Sequence, residues 1–158
     1  MKSARTSQVI RSVALLALLV FCGAAGAGAQ SLVAVQPLDF GQLLPGTPEA
    51  VTVEDAWCRA EVKMTLSGNI DVRVVLPPAL VARGGSRIPL TFRHGDGAVM
   101  YRNSRISTFD PNQSVRIRIP PGHREASLLL GATAEPAPQQ PAGVYTATMV
   151  VVVSPTDA

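Results

Sequence analysis

The run Gly143-Val144-Tyr145-Thr146-Ala147-Thr148-Met149-Val150-Val151-Val152-Val153 constrains this chain more than any other stretch. It follows a proline-rich break, ends at Ser154-Pro155, and is dominated by β-favouring residues, so it predicts one long strand. Tyr145, Ala147, Met149, Val151 and Val153 fall on one face, and Val144, Thr146, Thr148, Val150 and Val152 on the other. The second half is apolar on both faces. It therefore needs cover on both, from elsewhere in the chain or from another chain. Leu38 to Phe40, Leu128 to Leu130 and Leu32-Val33-Ala34-Val35 are the candidate partners.

Period-two alternation recurs upstream. Ala60, Val62, Met64 and Leu66 alternate with Arg59, Glu61, Lys63 and Thr65. A one-residue slip would expose Val62, Met64 and Leu66 at roughly 1.5–3 kcal/mol each, which fixes the register. Ile70, Val72, Val74 and Leu76 form a second alternating run beyond Gly68-Asn69, and the two predict an antiparallel hairpin. Residues 31–41 read as extended and broken at Pro37, a residue suited to a sheet edge or a change of partner. Residues 50–54 predict a short strand, and Ile88, Leu90 and Phe92 another, in which Pro89 again argues for an edge. Gly95-Asp96-Gly97 is a tight turn leading to Val99 and Tyr101. Residues 103–112 read as polar loop, Val115, Ile117 and Ile119 as a strand, Ser127 to Ala132 as a further strand, and residues 136–141 as loop. Apart from the first 29 residues, no segment has the length and 3.6-residue period of a helix. The expected fold is all-β, an antiparallel immunoglobulin-like β-sandwich of about seven to nine short strands.

Residues 1–29 read as a secretory signal peptide. Lys2, Arg5 and Arg11 form the basic region, Val13 to Phe21 the apolar region, and Ala27-Gly28-Ala29 a small-residue cleavage site before Gln30. A membrane anchor is the rival, but the second half of the apolar stretch is Ala and Gly rather than Leu and Ile. Phe21 before Cys22 is too large for a lipoprotein site. Residues 30–158 are then a single domain, long enough to enclose a core, with no stable membrane span after cleavage. The whole sequence has 14 Lys+Arg and 11 Asp+Glu. Three of the bases and none of the acids lie in the leader, so the exported part is net neutral. Its composition does not point to nucleic acid or an anionic membrane as a partner.

Chemistry is sparse. His94 and Asp96 share a turn and fall short of a metal-ligand set; His123 lies in another turn. No nucleophile elbow, P-loop, dinucleotide fingerprint or zinc-protease motif occurs. Glu54-Asp55 is the one adjacent carboxylate pair, and neighbours on a strand point apart. Arg116 and Arg118, with Arg102, Arg105 or Arg124, can form a basic patch or simply the solvated face of a sandwich. Beyond the leader Cys58 is the only cysteine, either a small buried hydrophobe or a free thiol. These residues imply no enzyme, cofactor or metal.

Leu38-Asp39-Phe40-Gly41 with Pro45-Gly46, Leu66-Ser67-Gly68, Val75-Leu76-Pro77, Leu130-Gly131-Ala132 and Pro141-Ala142-Gly143-Val144-Tyr145 occur in an order that resembles a family of small secreted bacterial domains of unknown function. That family is distantly similar to spore coat U-type proteins and chaperone–usher pilins. The resemblance implies an immunoglobulin-like sandwich in the periplasm, at the cell surface or outside the cell, as a structural or surface-assembly subunit. Its implied partners are itself or other surface subunits, joined by strand pairing. Gly143 and Tyr145 match the glycine and aromatic that open the last strand in pilins. The candidate pairing residues are therefore Leu32, Val33, Ala34, Val35, Gly143, Tyr145, Ala147, Met149 and Val151. The chain departs from pilins in its tail beyond Val153 and in lacking a second cysteine for a disulfide. The alternative is a monomeric exported binding module that uses loops on a sandwich.

Overall fold

The structure is a computed structural model, and it describes residues 10–12, 31–65, 68–101, 104–119 and 125–156. The cleavage residues Ala27, Ala29 and Gln30 lie outside the described residues, as do Arg102, His123 and Arg124. The fold is all-β, and its strands are β1 (Ile10–Ser12), β2 (Ser31–Gln36), β3 (Gln42–Leu43), β4 (Glu49–Val51), β5 (Ala60–Thr65), β6 (Gly68–Val75), β7 (Ala79–Ala82), β8 (Arg87–Thr91), β9 (Gly97–Tyr101), β10 (Ser104–Phe109), β11 (Val115–Ile119), β12 (Glu125–Leu130), β13 (Ala132–Ala134), β14 (Val144–Thr146) and β15 (Val150–Pro155).

Three sheets result, ordered β3-β1-β14-β7-β8-β13-β4, β10-β9-β12-β5-β2 and β11-β6-β15. Every ladder is antiparallel except β1 with β14. The short β1 comes from within the predicted leader. The sheets pack as a β-sandwich about one main core. Val62, Met64, Leu128 and Leu130 from one sheet meet Ile70, Val72, Ile117 and Val151 from another and Leu80, Ile88 and Tyr145 from the third. The alternation read at 60–64 and 70–74 is the inward set of β5 and β6, because only that parity keeps Lys63 and Arg73 in water. On the other face of the five-stranded sheet, Leu129 and Ala98 are covered by Val53 from the turn after β4.

The strands are shorter and more numerous than expected because the chain changes sheet within stretches that read as continuous. The run 127–132 divides at Gly131 into β12 and β13, which belong to different sheets. Gly131 is required there. A Cβ would lie 2.3 Å from the Val51 carbonyl oxygen, while the Gly131 N–H donates to the Asp96 carbonyl at 2.7 Å. The last strand divides in the same way. β14 joins the seven-stranded sheet, and 147–149 carry the chain across to β15 beside β6.

Several expectations are corrected. β5 and β6 do not form a hairpin: β5 pairs with β2 and β12, and β6 with β11 and β15. Both strands are apolar on one face only, and placing them in different layers lets those faces meet. None of the three segments expected beside the last strand takes that place, which belongs to β6 for β15 and to β7 and β1 for β14. Leu38 and Phe40 are buried without forming a strand. Pro89 lies in β8 between β7 and β13, not on an edge. Its carbonyl accepts from Glu135 N–H at 3.0 Å, and the β13 ladder stops there, where proline has no N–H to return. Residues 104–109 form a strand, β10, paired with β9 through a register shift between Arg105 and Ser107. Phe109 anchors it, its ring filling the place that a Cβ on Gly97 would occupy, 2.7 Å away.

Candidate functional site

The residues singled out for strand pairing fall into two regions. β2 is an edge strand that pairs within its own chain, with Ser31, Leu32, Val33 and Ala34 opposite Thr65, Met64, Lys63 and Val62. A register shift between Ala34 and Gln36 bends its end. Leu32 packs half-buried against the core, while Val33, Ala34 and Val35 are exposed. Gln36 anchors the bend, its amide Nε2 donating to the carbonyls of Ala56 at 3.2 Å and Arg59 at 2.9 Å. No pattern in the sequence marks Gln36, because its partners lie in a turn twenty or more residues away.

The second region is the divided last strand. Tyr145 is fully buried, and its hydroxyl donates to the Pro141 carbonyl at 2.7 Å and accepts from Gln140 Nε2 at 2.8 Å. Gln140 Oε1 in turn accepts from Ala137 N–H at 3.2 Å. This closure onto the backbone four residues upstream has the form of a tyrosine corner, which pins the loop 136–141 to the strand. Met149 and Val151 are buried and Ala147 is half-buried against the same core. A Cβ on the half-buried Gly143 would make only an ordinary 3.8 Å contact with the Tyr145 ring. The structure thus puts Tyr145, Met149 and Val151 inside the sandwich. What faces outward is Val144, Val152 and the edge of β15 that has no neighbour among the described residues.

The turn between β4 and β5 carries Trp57, at 89% the most exposed large hydrophobic side chain among the described residues. Asp55 builds the turn. Its side chain accepts from Trp57 N–H at 3.2 Å, and its carbonyl accepts from Cys58 N–H at 3.3 Å and Arg59 N–H at 2.9 Å. Cys58 is a free, half-buried thiol packed against the core. Burial pushes its pKa up, and the negative charge of Asp55 pushes it further in the same direction. A thiol held protonated is a poor nucleophile. Arg59 donates from Nη1 to the Val53 carbonyl at 2.8 Å and lies 3.8 Å from Glu61, whose other oxygen accepts from Ser127 Oγ at 2.9 Å. These polar groups stitch the turn to the sheet.

Asp96 and Arg116 have structural partners. Asp96 accepts from Arg93 N–H at 2.7 Å and closes the His94-Gly95 turn, where Gly95 has φ 96°. Arg116 and Arg118 are both exposed on β11, and Arg116 pairs across the ladder with Asp71 at 3.1 Å. Among the described residues, no group of three or more His, Cys, Asp and Glu is placed to hold a metal ion, and no helix is long and apolar enough to cross a membrane. A hollow of about 280 Å³ between the end of β6 and the turn before β11 is lined by Arg73, Val75, Leu76, Asn112, Gln113 and Ser114. It lies at the small end for an organic ligand. No family model and no curated protein matches the chain.

Proposed function

We propose that this chain is an exported, non-enzymatic structural or surface-assembly protein of pilin- or coat-like type, with an immunoglobulin-like arrangement of its sandwich. The observation that carries the reading is the pair of uncharged edge strands. β2 is Ser-Leu-Val-Ala-Val-Gln and β15 is Val-Val-Val-Val-Ser-Pro, and each has a neighbour on one side only among the described residues. Backbone donors and acceptors on an uncharged, β-prone edge offer pairing to another chain, the mode by which extended segments add to sheets. The tyrosine corner and the resemblance of residues 38–46, 66–77 and 130–145 support the same class. The partners in this reading are further copies of the chain or other surface subunits.

The test is fractionation of the native host. Recovery with sheared surface material, as high-mass assemblies, is the expected outcome; recovery only as a freely soluble species would overturn the reading. A second reading, a monomeric exported binding module, is favoured by one feature, the exposed Trp57 on a turn held at both ends by hydrogen bonds. Loss of ligand retention on Trp57→Ala, with a soluble monomeric wild type, would select it.

A further inference from the structure

The described edges are unequal. β3 and β4 have two and three residues, β10 and β2 carry register shifts, and β11 carries exposed Arg116 and Arg118. Shortness, bulges and charge are the usual devices that stop edge strands from pairing. β15 has none of them through Val150-Val151-Val152-Val153: it is six residues long, has no charge, and runs in unbroken register with β6 from Val150↔Val75 to Pro155↔Ile70. Losing residues 1–29 would open β14 and β3 as well, but these have only three and two residues.

Hydrogen-bond parity identifies which groups are free. Thr156 N–H donates to the Asn69 carbonyl at 3.0 Å, continuing the register that sets Pro155 opposite Ile70. Bonded and non-bonded pairs alternate in an antiparallel ladder, so Ser154, Val152 and Val150 are the bonded partners of β6. The N–H and C=O groups of Val151 and Val153 therefore point away from β6, toward the free edge. Pro155 has no N–H to offer on that side.

We infer that β15 pairs with β15 of a second copy, antiparallel about a two-fold axis at Val152. Deepening the surface-assembly reading, this names the partner at one of its two edges. In this register Val151 and Val153 exchange both hydrogen bonds with Val153 and Val151 of the other copy, so all four free groups on each strand segment are satisfied. A register centred on Val153 would instead place Val151 opposite Pro155 and lose a donor. The two three-stranded sheets become one six-stranded sheet, and the half-exposed Val75, Val150 and Val152 form one apolar strip across the axis. No like charges meet at the seam. Arg73 lies opposite Val152 on β6, so the two Arg73 are three strand spacings apart, about 14 Å, beyond the screening length at physiological salt.

The experiment is sedimentation of the protein as the host produces it, across a wide range of concentration, together with three variants. Val153→Pro removes a donor that β6 does not use, so the monomer keeps its ladder while the seam loses two hydrogen bonds. The expected result is a dimer whose dissociation constant rises roughly tenfold or more in this variant. Val152→Cys, in a Cys58→Ser background, places the two thiols at the close non-bonded pair on the axis and forms a disulfide-linked dimer under mild oxidation. Thr148→Cys in the same background, exposed but away from the axis, does not. A wild type that stays monomeric, an oligomer that folded Val153→Pro leaves intact, or equal cross-linking at 148 and 152 overturns the inference. Fractionation of the host tests the surface-assembly reading separately, since a soluble β15-paired dimer would refute that reading alone.

Discussion

β2 and β15 are both six residues long, uncharged and at sheet edges, and they do different things. β2 is bent by its bulge, fastened by Gln36, and turns Val33 and Val35 to solvent at 54% and 49% exposure. β15 runs in unbroken register with β6 and buries Val151 to 1%. The difference shows that a strand's chemistry as an edge depends on where its neighbours leave it as well as on its residues. β5 offers β2 a ladder of limited length beside a turn that must be tied down, whereas β6 offers β15 an unbroken register over the core.

The same substitution on the two strands gives the largest contrast. Val151→Asp puts an unpaired carboxylate among Val72, Met149 and Tyr145 and is expected to cost several kcal/mol or abolish folding. Val33→Asp sets an exposed carboxylate opposite Lys63 and is expected to change stability by less than about 1 kcal/mol, in either direction. Denaturant unfolding of both variants measures the contrast, and equal costs would break it.

Next in size is removal of residues 30–36. This strips the β5 ladder on one side and the half-buried Leu32, for an expected loss of about 1–3 kcal/mol in a chain that still folds. Unchanged unfolding midpoints would mean that β2 contributes nothing to its own domain. Gln36→Ala isolates the fastening of the bend. The carbonyls of Ala56 and Arg59 lose their donor, at about 1 kcal/mol, and amide exchange in the 55–59 turn should quicken.

The turn beside β2 can also be read by titration. With its pKa raised by burial and then by Asp55, Cys58 should alkylate slowly at neutral pH and reach full rate only above the pH that suffices for an unburied thiol. Asp55→Asn should move that profile downward; a profile like that of free cysteine would show that the turn opens readily. The smallest effect belongs to Asp110, whose carboxylate accepts the backbone and side-chain N–H groups of Asn112 and whose pKa is thereby lowered. A depressed carboxylate contributes stability above its unfolded pKa and loses it as pH falls through the folded one. The Asp110 carboxyl signal followed by NMR should therefore titrate below the ordinary aspartate range, and return toward it in Asn112→Ala.

Much of this molecule was legible in one dimension. The inward residues of β5, β6 and β11, the turn at 93–97, the break at Pro37 and the all-β class follow from period-two alternation and turn chemistry, which are properties of neighbours along the chain. Of the nine residues singled out for strand pairing, Leu32 to Val35 do form an edge strand, whereas Tyr145, Met149 and Val151 lie in the core. Alternation identifies the apolar face of a strand, but it carries no information about what that face meets. Gln36, Trp57 and the Gln140–Tyr145 closure were not legible, since each depends on a carbonyl, turn or loop brought up from another part of the chain.

The sequence by itself determined which face of each alternating strand turns inward, because burial free energy depends on side-chain identity and the alternation is fixed by the pleat. It did not determine that Val152, on the second apolar face of the last strand, stays exposed. Only the tertiary structure decided which strands became neighbours. It separated β5 from β6, divided the runs at Gly131 and at 147–149, placed Pro89 between two strands, and left β15 with one partner among the described residues. Backbone hydrogen bonds are the same for every strand, so the choice among partners falls to the closing of layers over a common core.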